Sequence, residues 1–101
     1  MSRIHWLPKA LDDLKQIQAD IGQDSPRNAR RFVAKIRRSV VGLRRFPLAG
    51  GLVPEFEDLE LRQTFTGSYR AVYRVRKNVV EVLRVIHGAR KLPSSLRNDV
   101  E

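Results

Sequence analysis

Apolar positions recur along this chain in two different rhythms. In the first half, Leu7, Leu11, Leu14, Ile17 and Ile21 follow one another at three- and four-residue steps, the signature of a helix with one buried stripe. Pro8 suits the first turn of that helix, where a missing N–H costs nothing, and Gly22 marks its end. Asp24-Ser25-Pro26 reads as a cap followed by a proline that restarts a helix. Ala29, Phe32, Val33, Ile36, Val40 and Leu43 supply the apolar stripe of this second helix, which stops at Phe46-Pro47, and Gly50-Gly51 opens a loop. Two helices joined by so few residues pack as an antiparallel hairpin.

The second half changes to a period of two. Leu59, Leu61 and Phe65 alternate with Glu60, Arg62 and Thr64, which predicts a strand, and Thr66-Gly67-Ser68 turns it. A second strand runs from Tyr69 to Arg76, with Tyr69, Ala71, Tyr73 and Val75 on one face and Arg70, Arg74 and Arg76 on the other. Lys77-Asn78 is a two-residue hairpin turn. The run from Val79 to His87 is apolar on both faces apart from Glu81 and Arg84, which places it centrally in the sheet. Gly88 to Pro93 breaks that strand, and the last residues form a short, frayed helix. Arg3 to Leu7 makes an edge strand before the first helix. The expectation is a single α+β domain over residues 1–101, with an N-terminal strand and a helical hairpin packed on one face of a small antiparallel sheet. The opposite face is expected to stay partly open and studded with arginines.

Composition adds three constraints. With 101 residues, 42% of them hydrophobic but only 7% aromatic, the chain supports one aliphatic core. It contains no cysteine, which removes disulfide and thiolate chemistry and accords with a reducing cytoplasm. No apolar run approaches the roughly 20 residues needed to span a bilayer, and the N-terminus lacks an apolar signal region, so a cytoplasmic protein without membrane attachment is expected.

Charge changes the picture more. Lys and Arg total 20 against 11 acidic residues, a formal +9, with arginine well ahead of lysine. No acidic residue occurs from Ser25 to Pro54, where Arg27, Arg30, Arg31, Lys35, Arg37, Arg38, Arg44 and Arg45 fall. An acidic patch of Glu55, Glu57, Asp58 and Glu60 follows. Arginine is suited to bidentate contacts with phosphates and carboxylates, so the partners expected are a nucleic-acid backbone or an acidic protein segment. A long basic helix face is ordinarily a solvated surface, although so many like charges repel one another unless partnered. No metal-ligand cluster, phosphate-cradling glycine loop or nucleophile elbow is present, so neither metal nor cofactor is expected.

Several pieces then carry a resemblance in their order and spacing. They are Trp6, Ala10, Asp13 and Leu14; Ser25-Pro26 with Ala29 and Phe32; and Leu43, Phe46-Pro47 and Val53-Pro54-Glu55. Arg62 ahead of Tyr69-Arg70 and Tyr73 follows, and last Val85-Ile86-His87-Gly88-Ala89-Arg90 with Leu92-Pro93. In this the chain resembles the RelE/ParE toxin superfamily over nearly its whole length. The resemblance implies a RelE-like fold and the toxin of a type II toxin–antitoxin system, of the kind associated with plasmid stabilization. Such a toxin is neutralised by a cognate antitoxin with an acidic, partly disordered tail. Operator DNA would be reached only through that antitoxin, since no DNA-reading motif appears here.

The resemblance divides on mechanism. RelE-like members are mRNA interferases that cut ribosome-bound mRNA; ParE-like members are DNA gyrase inhibitors without an established hydrolytic activity. Cutting RNA by its 2′-hydroxyl needs a base, cations around the pentacoordinate phosphate and an acid for the leaving oxygen. Carried over by motif, Arg70 and Arg90 match phosphate-stabilising positions, Arg62 lies near a position that is often basic, and His87 with Glu60 would be left to move protons. The departures are that residues 60–64 contain no lysine and that no tyrosine follows Arg90. These gaps favour the ParE-like branch; a RelE-like endoribonuclease is the alternative, and an inactive or regulatory relative that mainly binds its antitoxin is a third. Each candidate also has a structural role open to it: His87 as an imidazole bonded to its own turn, and Arg62 and Arg70 as solvated side chains on a sheet face.

Overall fold

In a computed structural model that describes residues 1–100, the chain runs β1 (Arg3–Trp6), α1 (Pro8–Gly22), α2 (Pro26–Val41), β2 (Gly51–Leu52), β3 (Arg62–Thr66), β4 (Tyr69–Arg76), β5 (Val79–His87) and α3 (Leu96–Val100). Short 3-10 turns occupy Gly42–Arg44 and Pro54–Leu59. Pro8 and Pro26 each open a helix. At α2 the Ser25 side chain accepts the Asn28 N–H at 3.2 Å, satisfying one of the free donors of the first turn.

The sheet has the order β1-β5-β4-β3-β2. β5 is an interior strand between β1 and β4, as its two-sided apolar pattern requires; β4 holds the middle of the sheet and β1 is an edge strand. β1 runs parallel to β5, with Arg3 opposite Val79 and Trp6 opposite Val82, so the sheet is mixed rather than purely antiparallel. The hairpin turn Lys77-Asn78 takes positive φ at both residues (48° and 64°), the geometry that matches the twist of the flanking strands. A bulge at Leu83 shifts the alternation in β5, because Val72 pairs with Arg84 while Tyr73 pairs with Val82. Val80, Val82 and Val85 therefore join the helix-side core, and Leu83 and Ile86 the other.

The helical hairpin covers one face with Ala10, Leu14, Ile17, Val33, Ile36 and Val40 against Ala71, Val82 and Val85. The α1 stripe is rotated slightly from the pattern of leucines: Ala10 is buried and Leu11 is 36% exposed. A step from Ala10 through Leu14 and Ile17 to Ile21 keeps to one face of a 3.6-residue helix, whereas Leu11 sits about 100° away from Ala10. Asp13, on the same side of α1, ties the helix to the bulged strand. Its carboxylate accepts from Arg84 Nε at 2.7 Å and Nη2 at 3.0 Å, and from the Val85 backbone N–H at 2.9 Å.

Three expectations are corrected. The second sheet face is not open: Val53, Phe56, Leu61, Leu92 and Leu96 pack there on Val72, Leu83 and Ile86. The segment Leu59–Leu61 is not strand; it follows a 3-10 turn and passes through Glu60 in the left-handed region (φ 54°), so pairing begins only at Arg62. Finally, α3 is tied down rather than frayed. Leu96 is fully buried, Lys9 pairs with Asp99, Arg97 with Asp58, and Arg74 donates to the Val100 carbonyl at 2.6 Å. The loop before β2 also pairs further than expected, adding a two-residue edge strand to β3. Gly50 there admits no side chain, because a Cβ would lie 2.5 Å from the Tyr73 hydroxyl, which itself donates to the Pro47 carbonyl and accepts the Gly50 N–H.

Asp13→Ala leaves Arg84 part-buried without its counter-ion and the Val85 N–H without its acceptor. The expected loss is about 2–4 kcal/mol of stability, read as a lower urea midpoint at unchanged slope. Asp13→Asn, which retains an acceptor, is expected to lose less.

Candidate functional site

The residues nominated for chemistry lie on β3, β4 and the end of β5. Arg70 is on β4, opposite Phe65 of β3 and Ile86 of β5. Its side chain points to the face covered by the Pro54–Leu59 turn and the C-terminal segment, and only 4% of the residue is exposed. There the guanidinium meets four acceptor atoms. Nη1 donates to Glu55 Oε1 at 3.1 Å and Gln63 Oε1 at 2.8 Å, while Nη2 donates to Glu55 Oε2 at 2.6 Å and the Arg90 carbonyl at 2.8 Å. Glu55 Oε2 also accepts the Leu92 N–H at 3.3 Å. Nε alone is buried without a partner. The bidentate contact from Arg70 is the main reason the Glu55 carboxyl is held down from an ordinary 4.5 to about 2; partial burial opposes this and the Leu92 N–H assists.

Arg70 is thus corrected from a phosphate-facing cation to a buried structural one. Its charge is matched by Glu55, and its donors are aimed into the protein. The exposed-face alternative fails with it, because the face is covered.

Arg62 is half-buried and also turned toward backbone. Nη1 donates to the Gly50 carbonyl at 2.7 Å and to the Leu48 carbonyl at 3.3 Å, closing the loop that leads into β2. It borders a hollow of about 310 Å³ with Leu48, Leu52, Glu60 and Val75. Glu60 therefore accompanies Arg62 and not His87.

His87 and Arg90, both exposed, border a separate hollow of about 240 Å³ between α1 and the end of β5, shared with Asp13, Asp20, Tyr69 and Arg84. His87 lies edge-on to Tyr69, ring centroids 5.4 Å apart, and its Nδ1 accepts the Ala89 N–H at 3.2 Å. That bond engages Nδ1 within the imidazole's own turn. The structural alternative thus describes His87, with a turn N–H rather than a carbonyl as its partner. Gly88 fits closely here: a Cβ would stand 3.1 Å from both the Phe65 ring and the Ser68 carbonyl, so a side chain would have to displace one of them slightly.

The four nominated residues consequently do not share one cavity. Arg62 borders one hollow, His87 and Arg90 another, and Arg70 is sealed within the core. Among the described residues, no three His, Asp or Glu side chains are grouped so that they could hold a metal ion, and no helix is long and apolar enough to cross a membrane. Sequence reasoning missed Glu55, Gln63 and Asp13 as the acceptors that engage the arginines. The only signal was that the acidic patch beginning at Glu55 directly follows the cationic stretch.

Residues 4–92 match the family model described as "ParE toxin of type II toxin-antitoxin system, parDE". The chain is 31% identical over 91 residues to "Toxin RelE2" of Caulobacter vibrioides, a match covering 89% of this chain and 99% of the relative. Its fold is similar to that of a chain in the "Chromosomal ParDE TA system from P. aeruginosa", with a TM-score of 0.70 at 23% identity, covering 86% of this chain and 96% of that one. The protein belongs to the ParE toxin family: it is the toxin of a type II toxin–antitoxin system, and its partner is an antitoxin.

Two outcomes follow from the Arg70 junction. Arg70→Ala, which strands Glu55 and the Arg90 carbonyl, is expected to destabilise the fold by about 3–5 kcal/mol, seen as a lowered thermal midpoint in circular dichroism. Because the Glu55 carboxyl is depressed in the folded state, its stabilisation is complete above the unfolded value near 4.5 and is lost as pH falls toward about 2. A urea series between pH 6 and pH 2 is expected to show this acid loss in the parent and a shallower one in Glu55→Gln.

Proposed function

We propose that this toxin acts in the cytoplasm as a ParE-like inhibitor of DNA gyrase, by surface contact rather than by cutting mRNA. The observation that carries this reading is the engagement of Arg70 by Glu55, Gln63 and the Arg90 carbonyl. Stabilising a pentacoordinate phosphate takes cations aimed at the place where charge develops, outside the protein. Arg70 is aimed inward, and Arg62 is held to loop carbonyls. In the hollow bordered by His87 and Arg90, His87 Nδ1 is engaged by the Ala89 N–H and the Asp13 carboxylate by Arg84 and the Val85 N–H, so the groups suited to moving a proton are occupied within the fold.

The antitoxin of this reading is an acidic, partly disordered chain that folds on the toxin and relieves the repulsion among its cations. It also supplies the sequence-specific operator contacts.

Purified toxin is expected to inhibit gyrase supercoiling, and equimolar antitoxin to reverse the inhibition. His87→Ala and Arg90→Ala are expected to retain growth arrest within about two-fold, with cellular mRNA intact. Cleaved ribosome-bound mRNA, together with loss of arrest in both variants while they remain folded, would establish the endoribonuclease instead. Absence of any growth arrest when the chain is expressed without a partner would mark an inactive or regulatory relative.

A further inference from the structure

The ion pairs of this protein are distributed unevenly. Among the described residues, acid–base pairs engage Lys9, Arg70, Arg74, Arg84 and Arg97. None of them involves Arg27, Arg30, Arg31, Lys35, Arg37 or Arg38, all exposed on α2. At 100° per residue, α2 turns Ala29, Val33, Ile36 and Val40 to the core. The six cations then fan over an arc of about 160° on the opposite side. Arg27, Arg31 and Arg38 form a crest spanning about 16 Å along the axis, with Lys35 on one flank and Arg30 and Arg37 on the other.

We propose that this outer face of α2 binds the phosphate backbone of duplex DNA directly, independently of the antitoxin and of the gyrase reading. Six like charges on about three helical turns, with no acidic residue anywhere from Ser25 to Pro54, repel one another; Arg37 lies over the Trp6 ring, and an external polyanion or salt would relieve the rest. When the antitoxin does not cover this face, a polyanion of regular phosphates fits it. Protein partners are held by apolar and aromatic anchors, and among the arginines and lysine this arc offers only Ala34 and the exposed Val41, with no aromatic side chain. The hollow that includes Ile21 and Phe32 opens beside the crest, and Arg31, Lys35 and Arg38 border it as well.

The width of the arc selects the form of nucleic acid. A helix with its side chains is about 10–12 Å across, and the B-form major groove is about 12 Å wide, so cations on both flanks reach both phosphate rails. The A-form major groove of duplex RNA is too deep and narrow to offer two rails to one helix.

The test measures fluorescence anisotropy of a labelled 20-bp DNA duplex of arbitrary sequence with the full chain, from 50 to 200 mM salt. The expected result is sequence-independent binding that weakens with salt and whose log–log slope falls by about 2 in Arg31→Gln/Arg38→Gln. The control Arg76→Gln/Lys77→Gln removes the same charge from exposed positions off the helix and is expected to change the slope little. Circular dichroism establishes that both variants are folded. Equal effects of the two pairs would reduce the binding to net charge and overturn the proposal. So would an absence of binding at 50 mM salt, equal or tighter binding of a 20-bp RNA duplex, or displacement of the DNA by poly-glutamate at equal charge. None of these outcomes bears on gyrase inhibition, which is measured separately.

Discussion

A buried guanidinium organises the second face of the sheet. Arg70 sits at 4% exposure, where an unpaired cation would be prohibitive, so the chain must bring acceptors to it from three places. Glu55 comes from the turn after β2, Gln63 from β3, and the Arg90 carbonyl from the segment after β5. Each brings its own apolar neighbours, and Val53, Phe56, Leu92 and Leu96 close over Val72 and Leu83. The short helix α3 is held in place by this closure and adds its own pairs to Asp58 and Lys9. Without the Arg70 junction these segments would have only a few aliphatic contacts to order them. The other face depends on an analogous arrangement on a smaller scale, Asp13 on Arg84 and the Val85 N–H at the bulge.

These two junctions redistribute the charge of the molecule. Cations that alternate along β4 look, in a linear reading, like a reactive surface. In the folded chain Arg70, Arg74 and Arg84 are neutralised by Glu55, Glu81 and Asp13. The uncompensated positive charge is concentrated on α2, on the opposite side of the domain from the Arg70 junction. A ParE-family toxin built this way has Arg70, Arg74 and Arg84 of its sheet occupied with folding and most of its α2 arginines turned outward. The division accords with a protein that works by occupying surfaces. It also gives the antitoxin a plain physical task, since an acidic chain laid over a +9 domain gains from charge neutralisation as well as from apolar burial.

Local physics made much of the architecture legible in advance. The two helices, their proline and serine starts, the Lys77-Asn78 turn and the interior place of β5 all rest on interactions among residues close in sequence or on the period of apolar positions. The α+β class followed from them, and the superfamily was legible in the ordered motifs the chain shares with it. The errors fell where a local pattern met a distant partner. Leu59 to Leu61 alternates like a strand, but the left-handed Glu60 ends a 3-10 turn that must bring Glu55 to Arg70. Leu11 has the right spacing for the α1 stripe, yet the sheet selects the line through Ala10 and Asp13.

The sequence by itself determined most element types and the location of the basic helix face, because hydrophobic period, turn chemistry and charge density are properties of neighbouring residues. The family was legible from the order of its shared motifs. Only the tertiary structure decided which arginines are free. A guanidinium on a strand face is the same group whether it meets water or a carboxylate, and the carboxylates that engage Arg70 and Arg84 stand 15 and 71 residues away along the chain. The pairing of charges so far apart is set by how the sheet stacks its layers, and no linear pattern encodes it.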